Sequence, residues 1–162
     1  MTLYETTTVY AKWTAGTFTL TFDSNTAASG SMSSQSFTAG TSQAITSNGF
    51  SKSGSSFSGW STTSGGSVEY SNGASLTIYA NTTLYAIWVA SYSITYTLNG
   101  GSGTAPTETD KGVGVNFNLA SGSGLSKSGF TFAGWSCNSG STQSAGTSYT
   151  MPAAALTCGR LS

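Results

Sequence analysis

The sequence repeats itself with a period of about 75 residues. The segment Lys52-Ser-Gly-Ser-Ser-Phe-Ser-Gly-Trp60 recurs as Lys127-Ser-Gly-Phe-Thr-Phe-Ala-Gly-Trp135, so the two tryptophans lie 75 positions apart. A second pair has the same spacing, since Thr8-Val-Tyr-Ala-Lys-Trp13 matches Thr83-Leu-Tyr-Ala-Ile-Trp88. Two separate anchors with one period predict a tandem-repeat protein, in which each unit is a small structural module packed beside its neighbours.

The order of motifs within the period predicts the domain boundaries. The alternating run Phe18-Thr-Leu-Thr-Phe-Asp-Ser-Asn25 opens one unit and matches Tyr92-Ser-Ile-Thr-Tyr-Thr-Leu-Asn99 at an offset of 74. Each unit continues with a Gly/Ser loop, a Gly-Trp-Ser segment and a closing Leu-Tyr-Ala-x-Trp strand. The predicted domains are the C-terminal part of a preceding repeat at 1–16, a complete first repeat at 17–91 and a second repeat at 92–162. The closing strand of the second repeat is degenerate or truncated, because the run Ala155-Leu-Thr-Cys-Gly-Arg-Leu-Ser162 lacks the aromatic ending.

Composition fits a folded protein and argues against two classes of partner. Only 6% of residues are charged, and Ser and Thr make up about a third of the chain. Hydrophobic residues at 37% and aromatic residues at 12% are nevertheless enough to form a core. Because the net charge is zero and no basic cluster is present, we expect no nucleic-acid partner. Because no apolar stretch approaches the length of a bilayer span, we expect no membrane insertion.

Alternation of apolar and polar residues indicates strands. It is clear in the run that opens each repeat, where threonines separate the large apolar side chains. In the closing strand both faces are apolar, with Leu84 and Ala86 on one and Tyr85 and Ile87 on the other, as expected for a central strand covered on both sides. We predict a mainly β fold, α+β at most, with one short helical turn near 43–50 or 115–122 as the alternative to a fold without helix.

The aromatic residues of the repeat motif are the predicted core. A unit of about 75 residues has a small interior and cannot leave its largest apolar side chains in water. The predicted core positions are Trp13, Phe57, Trp60, Trp88, Phe132 and Trp135. Three further residues, Tyr79, Tyr85 and Ile87, are the candidate contact surface for a neighbouring repeat or a partner.

The residue types that catalysis and metal binding need are missing or do not recur. The chain has no histidine, so a Ser or Cys nucleophile lacks its usual base. Glu108 and Asp110 lie with Lys111 in a turn-rich stretch, which favours a solvated loop over an acid/base pair. Cys137 and Cys158 have no cysteine counterparts in the first repeat, so we expect no disulfide framework. The sequence predicts a protein that is not an enzyme and that holds no cofactor and no metal.

Together these motifs resemble the Listeria–Bacteroides repeat, also called the internalin B-repeat. The resemblance rests on Gly129-Phe-Thr-Phe-Ala-Gly-Trp135 and Leu84-Tyr-Ala-Ile-Trp88, and it covers essentially the whole chain. The chain departs from the family pattern at Ser55-Ser56, at Thr26-Ala27 and in the degraded C-terminal strand. The resemblance implies tandem small β-grasp-like repeats with mixed or antiparallel sheets and without catalytic residues.

The resemblance also implies a location and a role. Such repeats occur in tandem in secreted or surface-attached bacterial proteins, so we expect an extracellular or cell-surface location and the role of a spacer or stalk. Neighbouring repeats of the same chain are the expected partners, and a host or cell-surface protein or a glycan is a further class. The alternative function is an adhesin or carbohydrate-binding module that uses exposed aromatic side chains, which requires that Trp60 and Trp135 be accessible.

Overall fold

Strands and loops make up all of the described part of the protein, which is residues 8–26, 29–138 and 140–159 of a computed structural model. Its mixed and antiparallel sheets confirm the predicted mainly β fold. The first six strands are β1 Thr17–Asp23, β2 Gln35–Thr38, β3 Gln43–Ala44, β4 Ser55–Ser61, β5 Ser75–Leu76 and β6 Thr82–Tyr92. The other seven are β7 Ile94–Tyr96, β8 Lys111–Gly112, β9 Asn116–Asn118, β10 Trp135–Ser136, β11 Thr142–Gln143, β12 Ser148–Thr150 and β13 Leu156–Cys158. The start of the predicted preceding repeat, residues 1–7, and residues 160–162 lie outside the described part.

The first repeat is built on a mixed sheet with strand order β2-β1-β6-β4. The central pair β1 and β6 is parallel, and both outer pairs are antiparallel. Strand β6 is therefore central, as its two apolar faces predicted. The register of β4 against β6 shifts between Phe57 and Gly59, which form a β-bulge. Gly59 has φ of +150°, and a Cβ added to it would lie 2.5 Å from Val68 Cγ1. Only glycine fits this bulge without displacing its neighbours.

The alternative of a short helical turn was wrong at both places. Residues 43–44 form β3, which pairs with β5, and residues 116–118 form β9, which pairs with β12. The apolar residues follow a period of two, since Phe117 and Leu119 both point into the core, and Ile45 does so in the first repeat. Runs this short do not distinguish a strand from a helical turn by spacing alone.

Each repeat has its own hydrophobic core around one tryptophan. Trp60 and Trp135 are almost completely buried and take equivalent places, which confirms these two predicted core positions. Ring contacts support both indoles, with Phe22 at 5.1 Å and Phe57 at 4.9 Å from Trp60, and Tyr96 at 4.6 Å from Trp135. Phe57 and Trp88 are half-buried and pack against the edge of the first core.

Two of the predicted core residues are not fully buried. The prediction was wrong for Trp13, which is exposed, and Phe132 is only partly buried. Trp13 is 88% exposed and lies in a segment without strand pairing. Its equivalent Trp88 is held by β1 and β4, whereas no described strand pairs with residues 8–16. Phe132 is 40% exposed, although its ring lies 5.1 Å from that of Trp135. A motif position therefore becomes core only where the rest of its repeat surrounds it.

The second repeat contains a disulfide where the first has only strand pairing. Cys137 and Cys158, for which the sequence predicted no disulfide framework and left the bonding state open, are bonded to each other. In the first repeat Ser61 of β4 pairs with Tyr85 of β6, so the adjacent residues Thr62 and Leu84 also face each other. Cys137 and Cys158 occupy the equivalent positions of the second repeat. The fold brings them together although 21 positions separate them in sequence, which counting cysteines does not show.

Strand β6 also connects the two repeats, because it runs unbroken from Thr82 to Tyr92. Most of it pairs with β1 and β4 of the first repeat, and its last two residues pair with β8 of the second. At Gly112 of β8, an added Cβ would lie 2.8 Å from Val89 Cγ2 and 3.0 Å from Ser56 Cβ. The boundary is thus a hydrogen-bonded strand with close packing beside it, and not a flexible linker.

Removing the disulfide is expected to destabilise the second repeat. For a loop of this length, chain entropy predicts that the double variant Cys137→Ser/Cys158→Ser lowers the free energy of unfolding by about 3 kcal/mol. Urea denaturation followed by far-ultraviolet circular dichroism measures this loss. Dithiothreitol should have the same effect on the unsubstituted chain and none on the double variant. An unchanged midpoint in the double variant would contradict the prediction.

The two buried tryptophans differ in their hydrogen bonds, which predicts different costs of the same substitution. Trp135 Nε1 donates to the Ala120 carbonyl at 2.7 Å, whereas Trp60 Nε1 is buried without an acceptor among the described residues. Replacing either with Phe leaves a similar cavity, but only Trp135→Phe leaves a carbonyl without its donor. We expect Trp135→Phe to cost about 1 kcal/mol more than Trp60→Phe. Equal shifts in urea midpoint for the two variants would refute this difference.

Candidate functional site

The predicted contact residues do not form one surface. Tyr79 is 73% exposed and lies against the turn after β2, where its ring is 3.4 Å from the Cβ position of Gly40. Tyr85 and Ile87 lie on one face of β6 and are half-buried. Tyr85 pairs with Asp23, the last residue of β1, whereas Tyr79 lies near the first residue of that strand. The seven residues of β1 therefore place Tyr85 and Tyr79 about 20 Å apart. Only Tyr85 and Ile87 remain as neighbours.

The acidic side chains act as hydrogen-bond acceptors or surface ion pairs. Glu69 accepts from the hydroxyls of Thr62 and Ser61 at 2.9–3.0 Å. The hydrogen bond from the Thr62 side chain, together with those from Ser61 and the Thr62 backbone, lowers the pKa of Glu69, and partial desolvation opposes this shift. Glu108 forms an ion pair with Lys111 at 3.0 Å. Within the described ranges, no three His, Cys, Asp or Glu residues are grouped so that they could bind a metal ion.

The second half of β6 shows how a closing strand completes a repeat. Trp88 packs edge-on against Phe57 at 5.7 Å, and its Nε1 donates to the Ser24 carbonyl at 2.9 Å. Ala86 is fully buried on the same side of the strand, and its carbonyl accepts from Asn25 Nδ2 at 3.0 Å. The strand therefore covers the edge of the Trp60 core between the turn after β1 and the strand β4.

The second repeat differs in sequence at the same position. The sequence Tyr85-Ala-Ile-Trp88 is replaced there by Gly159-Arg-Leu-Ser162, of which only Gly159 is among the described residues. Strand β13, Leu156–Cys158, pairs in parallel with β7 as β6 does with β1. Gly159 has φ of +120°, and its Cβ position is occupied by the Thr97 carbonyl oxygen, so no other residue fits there without rearrangement. The described part of the closing strand is therefore the half that carries the disulfide.

A cavity of about 340 Å³ lies beyond this end, and we name it the strand slot. Its wall is the segment 130–134, whose equivalent in the first repeat belongs to β4, and residues 131–134 have no strand pairing with any residue that the structure describes. Trp135 and Leu125 contribute to its apolar lining, and Phe130 and Phe132 are 72% and 40% exposed at it. The strand slot is an apolar groove that also borders Gly159, the last described residue of the closing strand.

Polar groups border the strand slot on the side of the turn after β7. Lys127 Nζ donates to the Asn99 carbonyl at 2.9 Å and lies 5.0 Å above the centre of the Phe130 ring. Leu98 lines the slot at the position of Ser24, whose carbonyl accepts from Trp88 in the first repeat. These groups can bind a backbone or an indole, but they include no pair suited to acid/base chemistry.

Sequence reasoning did not find the strand slot. Of its residues, only Phe132 and Trp135 were singled out, and both were assigned to the core. Lys127 and Phe130 belong to the repeat motif and Leu98 to the opening run, but none of the three was predicted to border a cavity. The signal that could have located the slot was the degenerate closing strand, once the first repeat shows which edge that strand covers.

The hydrogen bonds to Glu69 predict an acid-sensitive contribution to stability. Because the pKa of Glu69 is lowered on folding, its contribution is complete above the ordinary value of 4.5 and is lost as the pH falls through the lower folded value. Urea midpoints measured between pH 7 and pH 3 should therefore fall more steeply for the unsubstituted chain than for Glu69→Gln. Asp110→Asn, which removes one charge from an exposed loop, is the matched control and should keep the steep fall. Parallel profiles for all three would contradict the prediction.

Comparison with known proteins accords with this duplicated architecture. No helix among the described residues has the length and apolarity to cross a bilayer. No curated protein and no solved structure matches the chain. A family model described as the Listeria-Bacteroides repeat domain matches twice, at residues 18–87 and 92–157, and these matches begin at the opening strand of each repeat. The two matches cover most of the 162 residues, so the chain belongs to the Listeria-Bacteroides repeat domain family.

Proposed function

We propose that this chain is a non-catalytic spacer segment of a secreted or cell-surface bacterial protein, in which tandem repeats hold other domains at a distance. The observation that carries the proposal is the single strand β6, which closes the first repeat and pairs with the second. A spacer needs repeats whose relative orientation is restrained, and a strand shared across the boundary supplies that restraint. Each repeat would add roughly 30 Å of length, from the usual scaling of domain size with residue number.

Hydrogen bonds on both sides of the boundary support this restraint. The Ser91 N–H donates to the Gly54 carbonyl of the first repeat at 3.0 Å, and the Val113 N–H of the second repeat donates to the Ala90 carbonyl at 2.9 Å. Rotation of one repeat against the other would break these bonds and expose their groups. The close approach at Gly112 adds packing to the same junction. Restraint of this kind distinguishes a semi-rigid array from domains joined by a flexible linker.

The disulfide supports a location outside the cytoplasm. Disulfides persist in oxidising surroundings and are rare in the bacterial cytosol. The bond between Cys137 and Cys158 is therefore the structural feature that agrees with the surface or secreted location typical of the family. The mixed sheet with a parallel central pair is consistent with the β-grasp-like arrangement that the family resemblance implies, without its helix among the described residues.

The residue inventory supports a role without chemistry. With no histidine in the chain, the nucleophiles lack a usual base, and the acidic groups Glu69 and Glu108 are engaged in hydrogen bonds or an ion pair. Carbohydrate binding by stacking has less support than spacing, because Trp60 and Trp135 are buried. Phe130 and Phe132 are exposed, but they border the strand slot and do not form a flat platform with a tryptophan.

The spacer proposal predicts that the two repeats tumble as one body. Residual dipolar couplings of the 162-residue chain should fit one alignment tensor for both repeats. Inserting Gly-Ser-Gly-Ser between Ala90 and Ser91 should give two tensors, because it interrupts β6 at the junction. The same insertion between Ala154 and Ala155, an exposed turn within the second repeat, is the control and should keep one tensor. Independent tensors in the unsubstituted chain would refute the proposal.

A further inference from the structure

We propose that each repeat resists forced unfolding when the chain is pulled lengthwise, through the hydrogen-bonded pair that its opening and closing strands form. We call this pair the terminal-strand pair, and it consists of β1 with β6 in the first repeat and of β7 with β13 in the second. Resistance to force is a property of each repeat, whereas the spacer proposal concerns the junction between the repeats. Either proposal can therefore fail alone.

The direction of the two strands decides how a pull acts on them. They are adjacent and parallel, and their register is the same in both repeats, with Leu20 opposite Thr82 and Ile94 opposite Leu156. The chain enters a repeat at the start of the opening strand and leaves it at the end of the closing strand. Because these two points lie at opposite ends of a parallel pair, tension slides the strands past each other lengthwise. All the backbone hydrogen bonds between them then resist together, whereas peeling from one end would break them one after another.

The closing strand of the first repeat is held along both of its edges. Residues 82–85 of β6 pair with β1, and residues 85–90 pair with β4, so tension on the end of β6 loads two ladders. Side-chain packing opposes sliding as well. A slip of one residue would turn the fully buried Leu84 and Ala86 away from the core and bring Thr83 towards it. The strand cannot move along its own axis without losing both kinds of contact.

Side-chain hydrogen bonds join the same two strands at both ends of their ladder. At its start, the Thr19 N–H donates to Asn81 Oδ1 at 2.9 Å. Beyond its end, Asn25 Nδ2 donates to the Ala86 carbonyl at 3.0 Å, and the Trp88 indole donates to the same turn after β1. These bonds connect the opening strand or its turn with the closing strand or the residue before it. Sliding therefore breaks them together with the ladder.

The second repeat has the same pair with a shorter ladder and a covalent bond. Three residues of β7 pair with β13, and two further backbone bonds extend the pair, from Leu156 N to the Ser93 carbonyl at 2.9 Å and from Thr97 N to the Cys158 carbonyl at 2.8 Å. The disulfide connects Cys158, the last residue of β13, with Cys137. Tension that reaches the end of β13 passes through the two sulfur atoms, so the residues between the cysteines are not extended. The disulfide thus limits how far this repeat lengthens.

Resistance to force is a different property from thermodynamic stability. Forced unfolding is governed by the unfolding rate, and therefore by the contacts that break first along the direction of the pull. A unit of about 75 residues has a small core and a modest free energy of unfolding. It can still resist a pull if the two strands that carry the tension are bonded to each other in the direction of shear. The terminal-strand pair meets this condition in both repeats.

Single-molecule force spectroscopy of the 162-residue chain tests the direction of loading. Handles on Ala15→Cys and Ser93→Cys load β1 and β6 in shear, whereas handles on Ala15→Cys and Ala80→Cys peel the same pair from one end. All three positions are exposed, and the native disulfide is buried. At equal loading rate the rupture force should be at least about twofold higher in shear, because four residue pairs share the load. Equal rupture forces in the two directions would overturn the proposal.

Two matched variants separate resistance to force from stability. Asn81→Ala removes the side-chain acceptor between the terminal strands, whereas Gln35→Ala removes side-chain hydrogen bonds to Ala44 and Thr46, outside the pair. Both variants should lower the urea midpoint, since each loses hydrogen bonds. Only Asn81→Ala should lower the rupture force in shear. An equal loss of force in both variants, or none in Asn81→Ala, contradicts a resistance located in the terminal-strand pair.

Pulling the chain from its two termini tests the covalent limit in the second repeat. Two rupture events are expected, one for each repeat. Reduction with dithiothreitol should increase the length released by the second repeat by about 70 Å, because 21 further positions become extensible. The first repeat has no cysteine, so the length that it releases should stay the same and serves as the internal control. An unchanged length after reduction would refute the covalent limit, and extension of either repeat without a rupture event would refute its terminal-strand pair.

Discussion

The whole structure depends on the burial of strand β6 between β1 and β4. Leu84 and Ala86 on this strand are fully buried, and its backbone is hydrogen-bonded on both sides. In a unit of about 75 residues, one central strand that supplies both core side chains and two ladders is a large part of the available stability. The aromatic residues then complete the core beside it, because Trp60 lies opposite Ala86 in the β4–β6 register and both are fully buried. Loss of β6 would leave the remaining strands without a common partner.

In the second repeat, the described part of the equivalent strand is secured by different contacts. Its closing strand β13 keeps the pairing with β7, and the disulfide fixes it to the segment after β10. Two backbone bonds, from Gly159 N to the Ser136 carbonyl and from Asn138 N to the Thr157 carbonyl, complete the connection at that end. The strand slot lies beside Gly159, the last described residue of this strand. The covalent bond adds to the backbone pairing at this end, since it limits the freedom of the unfolded chain.

Much of the fold could be predicted from the sequence, because alternation and period are local signals. The opening strands, the central place of β6 and the burial of Trp60 and Trp135 follow from them. The disulfide could not be predicted, because only the β4–β6 register shows that the positions of Cys137 and Cys158 face each other. Trp13 was misplaced for a related reason: a motif specifies which face a residue presents, and burial depends on strands elsewhere in the chain. The slot residues Phe130 and Lys127 belong to the repeat motif, but the motif alone does not show that they border a cavity.

Shared strands also make the stability of one repeat depend on its neighbour. Since β6 pairs with β8 as well as with β1 and β4, unfolding of the first repeat removes the partner of the start of the second. In repeat proteins such nearest-neighbour terms supply much of the stability, and terminal units are the weakest because they lack one neighbour. The second repeat has a stabilising contact of another kind, because the disulfide fixes β13 to the segment after β10. Since this bond lies within one repeat, its contribution does not depend on the neighbouring repeat.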